Sequence, residues 1–184
     1  MILPHRPFVL IRHGQTDANR DGIISGRTEA RLTETGREAA RALADFTFGF
    51  ETTVFTSPQL RAQETARLAF PSASAQIVED LRERDWGIFE GLPIEQLPAR
   101  TATPEGGEGW EAMLARIDEA LSACVRLAGN TVPVIVAHSG VIRAARALTG
   151  LDFGGPSAPN TTPLLYTLVS GSWQEQPLVA ARID

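Results

Sequence analysis

Lysine is missing from this 184-residue chain, whose seventeen cations are all arginines. Its absence excludes a Walker-type phosphate lysine, a Schiff base and a lysine-rich face for nucleic acid. Cysteine is nearly missing too. The one thiol, Cys124, cannot pair within the chain and falls in an apolar helical pattern, so it is expected to be a buried small hydrophobe. There is no run of the roughly 20 apolar residues that a membrane span needs, and no charged start leading through an apolar stretch to a cleavage site. The expected location is the cytoplasm, with no membrane partner. His, Cys and carboxylates form no cluster at metal-ligand spacing, so neither a metal nor another cofactor is expected.

What is present sets narrower bounds. The length and a hydrophobic content of 43% suit one domain over residues 1–184 with a core of its own. Repeats, low-complexity tracts and inter-domain linkers are not seen. At a net charge of -5 without lysine, an anion must be gripped by Arg, His or backbone N–H groups. An acidic whole with local Arg clusters suits a small anionic ligand better than nucleic acid, which is not expected as a partner. Oligomeric state is not legible.

The apolar run FVLI (8–11) reads as a strand buried on both faces. LTETGREAARALADF (32–46) follows as a helix, with Thr33 or Thr35 as N-cap and Leu43 and Phe46 among its apolar positions. TVFTS (53–57) is a second strand, and SPQLRAQETARLAF opens a second helix with Ser57 capping and Pro58 at its first position. A loop rich in Pro, Gly and charge covers about 82–109. WEAMLARIDEALSACVRLAG then makes a long amphipathic helix closed by Gly129, VPVIVAHSG (132–140) the most apolar strand, and GVIRAARALTG a further helix. Two alternating segments, LLYTLVSG and PLVAARI, read as closing strands separated by a turn. This succession predicts an α/β three-layer sandwich: a mostly parallel central sheet with one antiparallel edge strand, flanked by helices on both faces.

Ligands of such sheets bind at the carboxyl ends of the strands, where helix N-termini present free N–H groups. The first strand delivers Arg12 and His13 there. The second leads through Ser57 to Arg61 in the first turn of its helix, and the strand at 132–137 delivers His138. Two of the chain's three histidines therefore share one sheet edge with two arginines. A lone Arg is commonly a solvated surface group, and a lone strand-end His a hydrogen-bonded core residue. Four together at low dielectric repel one another unless an anion compensates them, as a phosphoryl group does. Glu83, within RERDWGIFEG (82–91), lies between two arginines. Charged loop residues are mostly solvated, but a loop folded over the cationic pocket would set this carboxyl beside a phosphate, where it can donate a proton. Gly14 is expected to let the chain turn tightly without a side chain obstructing the pocket.

In these motifs the chain resembles the histidine phosphatase superfamily, the clan of phosphoglycerate mutases and related acid phosphatases. RHGQTDAN carries that family's RHG signature, and LTETG, TSPQLRAQETA, LRERDWGIFEGL, PEGGE and AHSGVIRA follow in the family's order, over roughly residues 8–148. The resemblance implies that His13 is a nucleophile that becomes phosphorylated, that Arg12, Arg61 and His138 hold the transferring phosphoryl oxygens, and that Glu83 is the acid. Asn19 matches a further phosphate contact, and Ser25 and Gly26 a contact near the pocket. Ser139, where a second Gly often follows the histidine, joins them as a substrate-binding residue. The chemistry agrees with these roles: a neutral imidazole can attack phosphorus, and fixed cations can stabilise the equatorial oxygens in place of a metal. Glu29, Arg31 and Glu64 also depart from the commonest pattern without removing a catalytic group. Arg31 and Arg84 are expected to add positive charge near the mouth and bias substrate choice.

The function so implied is a metal-independent phosphomonoester hydrolase that acts on a small phosphorylated metabolite through phosphohistidine. The nearest alternative is a phosphoglycerate mutase. Arg84, directly after Glu83, resembles the mutase arrangement, whereas the short chain lacks the long Arg-rich insertion with which mutases hold a substrate carboxylate. An alpha-ribazole phosphatase is compatible with PEGGE. A non-catalytic phosphate-binding protein would be favoured had one of the five catalytic residues been replaced, and all five are present. Specificity is expected to reside in the loop from about 92 to 109.

Overall fold

Residues 3–179 are described by a computed structural model. Strand β1 (Phe8–Arg12) lies in a six-stranded sheet with β2 (Thr52–Thr56), β3 (Gln76–Ile77), β4 (Val132–Ala137), β5 (Pro163–Val169) and β6 (Ser172–Pro177). The spatial order is β3-β2-β4-β1-β5-β6. The pairings β3-β2, β2-β4 and β4-β1 are parallel, and β5 is antiparallel to both β1 and β6. The mixed, mostly parallel sheet that the sequence predicts is therefore present, with its reversal confined to one edge.

Alternation along the buried strands feeds two cores. Phe8, Leu10, Phe55 and Ile135 face helices α4 (Trp110–Leu127) and α5 (Ser139–Leu148), among Met113, Ile117, Leu121, Val141 and Ile142. Val9, Ile11, Val134 and Val136 face the opposite side, against Leu43 after α2 (Glu34–Ala42) and Ala62, Ala66 and Ala69 of α3 (Leu60–Ala69). Because each face is covered by a helix pair, the central strands read as unbroken apolar runs. Cys124 is buried in the first core as expected, and burial pushes its thiol up to about 12. Among the described residues no helix is long and apolar enough to cross a membrane.

The structure shifts several boundaries. The 32–46 helix is capped by Thr33, whose Oγ1 accepts from Gly36 N at 3.0 Å, and its last turn tightens to a 3-10 helix over Leu43–Asp45. The second helix begins at Leu60 after Gln59, not at Ser57, whose hydroxyl accepts from Gln59 N at 3.3 Å and lies 2.6 Å from His138 Nε2. The second closing strand is Ser172–Pro177 and not 177–183; residues 180–183 lie outside those described. Ser170 (φ 50°) and Gly171 (φ 81°) form the two-residue turn of a hairpin, so β6 starts at once. Its sequence, SWQEQP, hides the strand because it is an edge with mostly exposed side chains. The sequence reading contains neither the exposed two-residue β3 nor the short helix α1 (Asp17–Asp21), nor the 3-10 turns at Glu79–Leu81, Gly87–Phe89 and Ile94–Gln96.

Candidate active site

The ends of β1, β4 and β2 lie side by side, and backbone bonds carry their register into the site. Arg12 pairs with Ala137, His13 N donates to Ala137 O at 3.0 Å, and Ser57 N donates to Val136 O at 3.0 Å. Asn160 Nδ2 donates to His13 O at 2.6 Å, and Gly14 N donates to Thr65 Oγ1 at 3.0 Å. His13 is thereby fixed at both flanks. Its ring Nδ1 lies 2.8 Å from Gly14 O. A carbonyl can only accept, so Nδ1 carries the proton and Nε2 keeps a free lone pair. Burial, then Arg61 and Arg12, hold the ring's pKa down to about 3 against the bond to Gly14. His13 is a neutral imidazole with its nucleophilic nitrogen unspent.

A cavity of about 110 Å³ opens beside it, lined by Arg12, His13, Asn19, Ser25, Gly26, Arg61, Glu83, Arg100, Ser139 and Gly140, with Ile23, Ile24, Trp86, Ile94 and Leu97 on its apolar side. That volume is below the roughly 300–1,000 Å³ of pockets for drug-sized ligands, as suits a small group. Arg12 Nη1 donates to Ala158 O at 2.9 Å; Arg61 donates to Thr28 O at 3.0 Å and Gly26 O at 2.7 Å. Burial lowers the pKa of Arg12, Arg61 and Arg100, and Glu83 opposes the fall in each case. The repulsion expected at this edge is thus met partly from within: the imidazoles are neutral, carbonyls accept from the guanidiniums, and one carboxylate faces three arginines. Among the described residues no group of three or more His, Cys, Asp or Glu is placed to hold a metal ion.

The loop carrying Glu83 does fold over the cavity. Its N–H donates to Gln59 Oε1 at 2.7 Å, while its carboxylate accepts from Arg84 N at 2.8 Å and from Gly140 N, in the first turn of α5, at 2.9 Å. His138 does not line the cavity. It is fully buried behind it, its ring centroid 5.3 Å from that of His13, with Nε2 2.6 Å from Ser57 Oγ and Nδ1 without a partner among the described residues. Burial, then Arg61, His13 and Arg12, drive its pKa well below the usual histidine value.

The remaining sequence-predicted residues divide. Asn19, Ser25, Gly26 and Ser139 reach the cavity wall. Asn19 also closes a capping box at α1, its Oδ1 accepting from Thr16 N at 3.2 Å, and the Gly26 carbonyl is occupied by Arg61 and by Gln59 at 2.9 Å. Arg84 is not at the mouth. It is 1% exposed, stacks 4.4 Å over Trp86, and donates to the carbonyls of Glu108, Arg100 and Ala102. Arg31 is exposed and does not line the cavity. The mouth cation is Arg100 instead, which the sequence does not single out because nothing local distinguishes it from other loop arginines. Asn160 and Gln59 were missed for the same reason. Gly14 has a different cause from the one expected: a Cβ there would lie 2.5 Å from Gly36 O, so it admits α2 rather than substrate.

Comparison with known proteins places the chain in a family. Residues 8–171 match the histidine phosphatase superfamily (branch 1). An uncharacterized phosphatase, PhoE, of Bacillus subtilis (strain 168) is 32% identical over 157 residues, covering 83% of this chain and 80% of that protein. A probable phosphoglycerate mutase, GpmB, of Enterobacter sp. (strain 638) is 32% identical over 146 residues, covering 70% and 67%. The crystal structure of a putative alpha-ribazole-5'-P phosphatase from Escherichia coli K-12 superposes with a TM-score of 0.79 at 25% identity, over 95% of this chain and 96% of that one.

Proposed function

The chain belongs to the histidine phosphatase superfamily, and from that premise we propose that it hydrolyses small phosphomonoesters by way of a phosphohistidine on His13. One observation carries the reading: a neutral imidazole, tethered through Nδ1 to Gly14 O, keeps Nε2 free in a cavity with three arginines and one carboxylate. Nε2 attacks phosphorus while the ester P–O bond breaks, and the Glu83 carboxyl gives a proton to the departing oxygen. Water then attacks the phosphoryl group, the P–N bond breaks, and Glu83 takes the water's proton. Arg12 and Arg61 supply the positive charge that balances the equatorial oxygens, a task a metal performs elsewhere. Asn19, Ser25, Gly26 and Ser139 line the same space and contact the substrate.

Arg84 gives the mutase alternative no cation at the mouth, since it spends its donors on loop carbonyls, but that reading stays the alternative because a relative is named as a probable phosphoglycerate mutase. An alpha-ribazole ester remains one member of the proposed substrate class. The protein acts as one domain in the cytoplasm, on a small molecule and without nucleic acid, membrane or cofactor. The test is rapid quenching after brief reaction with a labelled phosphomonoester in EDTA. The native protein is expected to carry label that survives base and is lost in acid, as a phosphoramidate does, and His13→Ala none. Label on the variant, or labelling that vanishes in chelator and returns with a divalent ion, overturns the proposal.

A further inference from the structure

Ser57 was read as a helix cap, yet the helix it precedes starts three residues later and its hydroxyl lies 2.6 Å from His138 Nε2. Both residues are 0% exposed, so water does not complete their bonding. Ser57 Oγ already accepts from Gln59 N at 3.3 Å, and its single proton has to go somewhere. If His138 Nε2 carried the ring proton and donated to Oγ, the Ser57 proton would be left without its nearest acceptor, and His138 Nδ1 would be a buried lone pair with no donor. If Ser57 O–H donates to Nε2, every group at this junction is satisfied except one, the Nδ1–H. That atom is buried and has no partner among the described residues.

We propose that Ser57 is a positioning residue that holds neutral His138 in its Nδ1–H tautomer, so that this ring serves as a hydrogen-bond donor to the phosphoryl group in transit on His13. The inference rests on the phosphohistidine reading above. The ring centroids of His13 and His138 are 5.3 Å apart, within reach of one phosphoryl group borne on His13 Nε2. A histidine held neutral by burial cannot attract the anion by charge, so its contribution depends on which nitrogen bears the proton. With the proton on the other nitrogen, the ring would turn a lone pair toward an oxyanion. Ser57 itself, enclosed at the end of β2, never meets substrate.

The experiment is nitrogen NMR of protein labelled with 15N-histidine, joined to single-turnover phosphorylation by p-nitrophenyl phosphate. In the native protein the His138 signals are expected to show a protonated Nδ1 and a bare Nε2. Ser57→Ala removes the donor to Nε2, so His138 should populate the other tautomer and phosphoenzyme formation should slow about 10- to 100-fold, the range for losing a partner that orients a functional imidazole. A proton on Nε2 in the native protein overturns the proposal, and that spectrum needs no variant. So does an unchanged tautomer in Ser57→Ala, or a changed tautomer with an unchanged phosphorylation rate. A native protein that forms no phosphoenzyme at all overturns the enzymatic reading, while its spectrum still reports the tautomer.

Discussion

The carboxyl edge of the sheet and the loop from 82 to 109 both build the cavity, but they hold their residues by different means. At the sheet edge, Arg12, His13 and Ser57 sit on or directly after strands whose neighbours Val9, Leu10 and Ile11 are fully buried, and ladder-like bonds to Val136 and Ala137 set their spacing. The loop contains only single 3-10 turns at Gly87–Phe89 and Ile94–Gln96. It is held by side chains reaching to backbone: Arg84 to three carbonyls, Glu90 to Arg27 N at 2.7 Å and Thr28 N at 2.8 Å, and Arg116 to Glu108 and to the carbonyls of Asp80 and Arg82. The proposed phosphoryl chemistry therefore rests on backbone held by strand pairing, and the proposed leaving group meets a loop held by side chains.

Glu83 belongs to the loop by sequence and to the sheet edge by its bonds to Gln59 and Gly140, so it tests the division most severely. An acid matters only as much as the leaving group needs a proton. Glu83→Gln should slow phosphoenzyme formation from alkyl phosphates about 10²- to 10⁴-fold, the usual range for general acid catalysis, and much less from p-nitrophenyl phosphate. Burst kinetics separate this step from hydrolysis of the intermediate. Equal losses for both leaving groups would place Glu83 with the loop, as a support rather than a proton donor.

The same contrast explains what was legible. Strand-end residues announce themselves, because an apolar run followed by Arg-His or His-Ser departs from the local pattern; Arg12, His13 and His138 stand out in this way, Arg61 follows in the first turn of α3, and the structure brings the four to one edge. Arg100 and Asn160 carry no such mark, since their positions follow from tertiary contacts between segments far apart in the chain. Arg84 misled for the converse reason. Its neighbour Glu83 reaches the cavity, yet Arg84 stacks on Trp86 and turns to Glu108, and no periodicity governs consecutive residues in a loop.

Glycines sharpen the comparison through stability. In Gly14→Ala the new Cβ would meet Gly36 O at 2.5 Å, a backbone atom of α2 that cannot rotate away. A loss of about 1–3 kcal/mol is expected, the range for overpacking, with slower phosphorylation because His13 adjoins the displaced turn. At the loop's far end, Gly109 has φ -67°, and a Cβ there would meet only the Thr103 side chain, at 3.1 Å. Gly109→Ala should therefore change stability by about 0.5 kcal/mol or less, as most substitutions away from such contacts do. Urea denaturation of the two variants decides the matter, and similar losses for both would remove the distinction.

A dependence on pH also separates the two regions. His13 and His138 are neutral in the folded protein, with pKa values pushed down by burial, that of His13 to about 3. In the unfolded chain each returns to the ordinary value near 6.5, so below that pH the unfolded state binds protons that the folded state refuses. For a base whose pKa is lowered by folding, stability is full above about 6.5 and declines as pH falls toward the folded value. The expected slope approaches about 1.4 kcal/mol per pH unit for each histidine below pH 6. The loop from 82 to 109 contains no histidine, so it adds no imidazole to this window. Measured from pH 7 to 5, His138→Asn should lose about half of the native slope, whatever it does to stability at pH 7. Arg84→Met should lower stability by the same amount at both ends and keep the slope. A native slope that survives in His138→Asn would mean that this ring takes up a proton in the fold as readily as in the unfolded chain, and the neutral donor assigned to it would have to be abandoned.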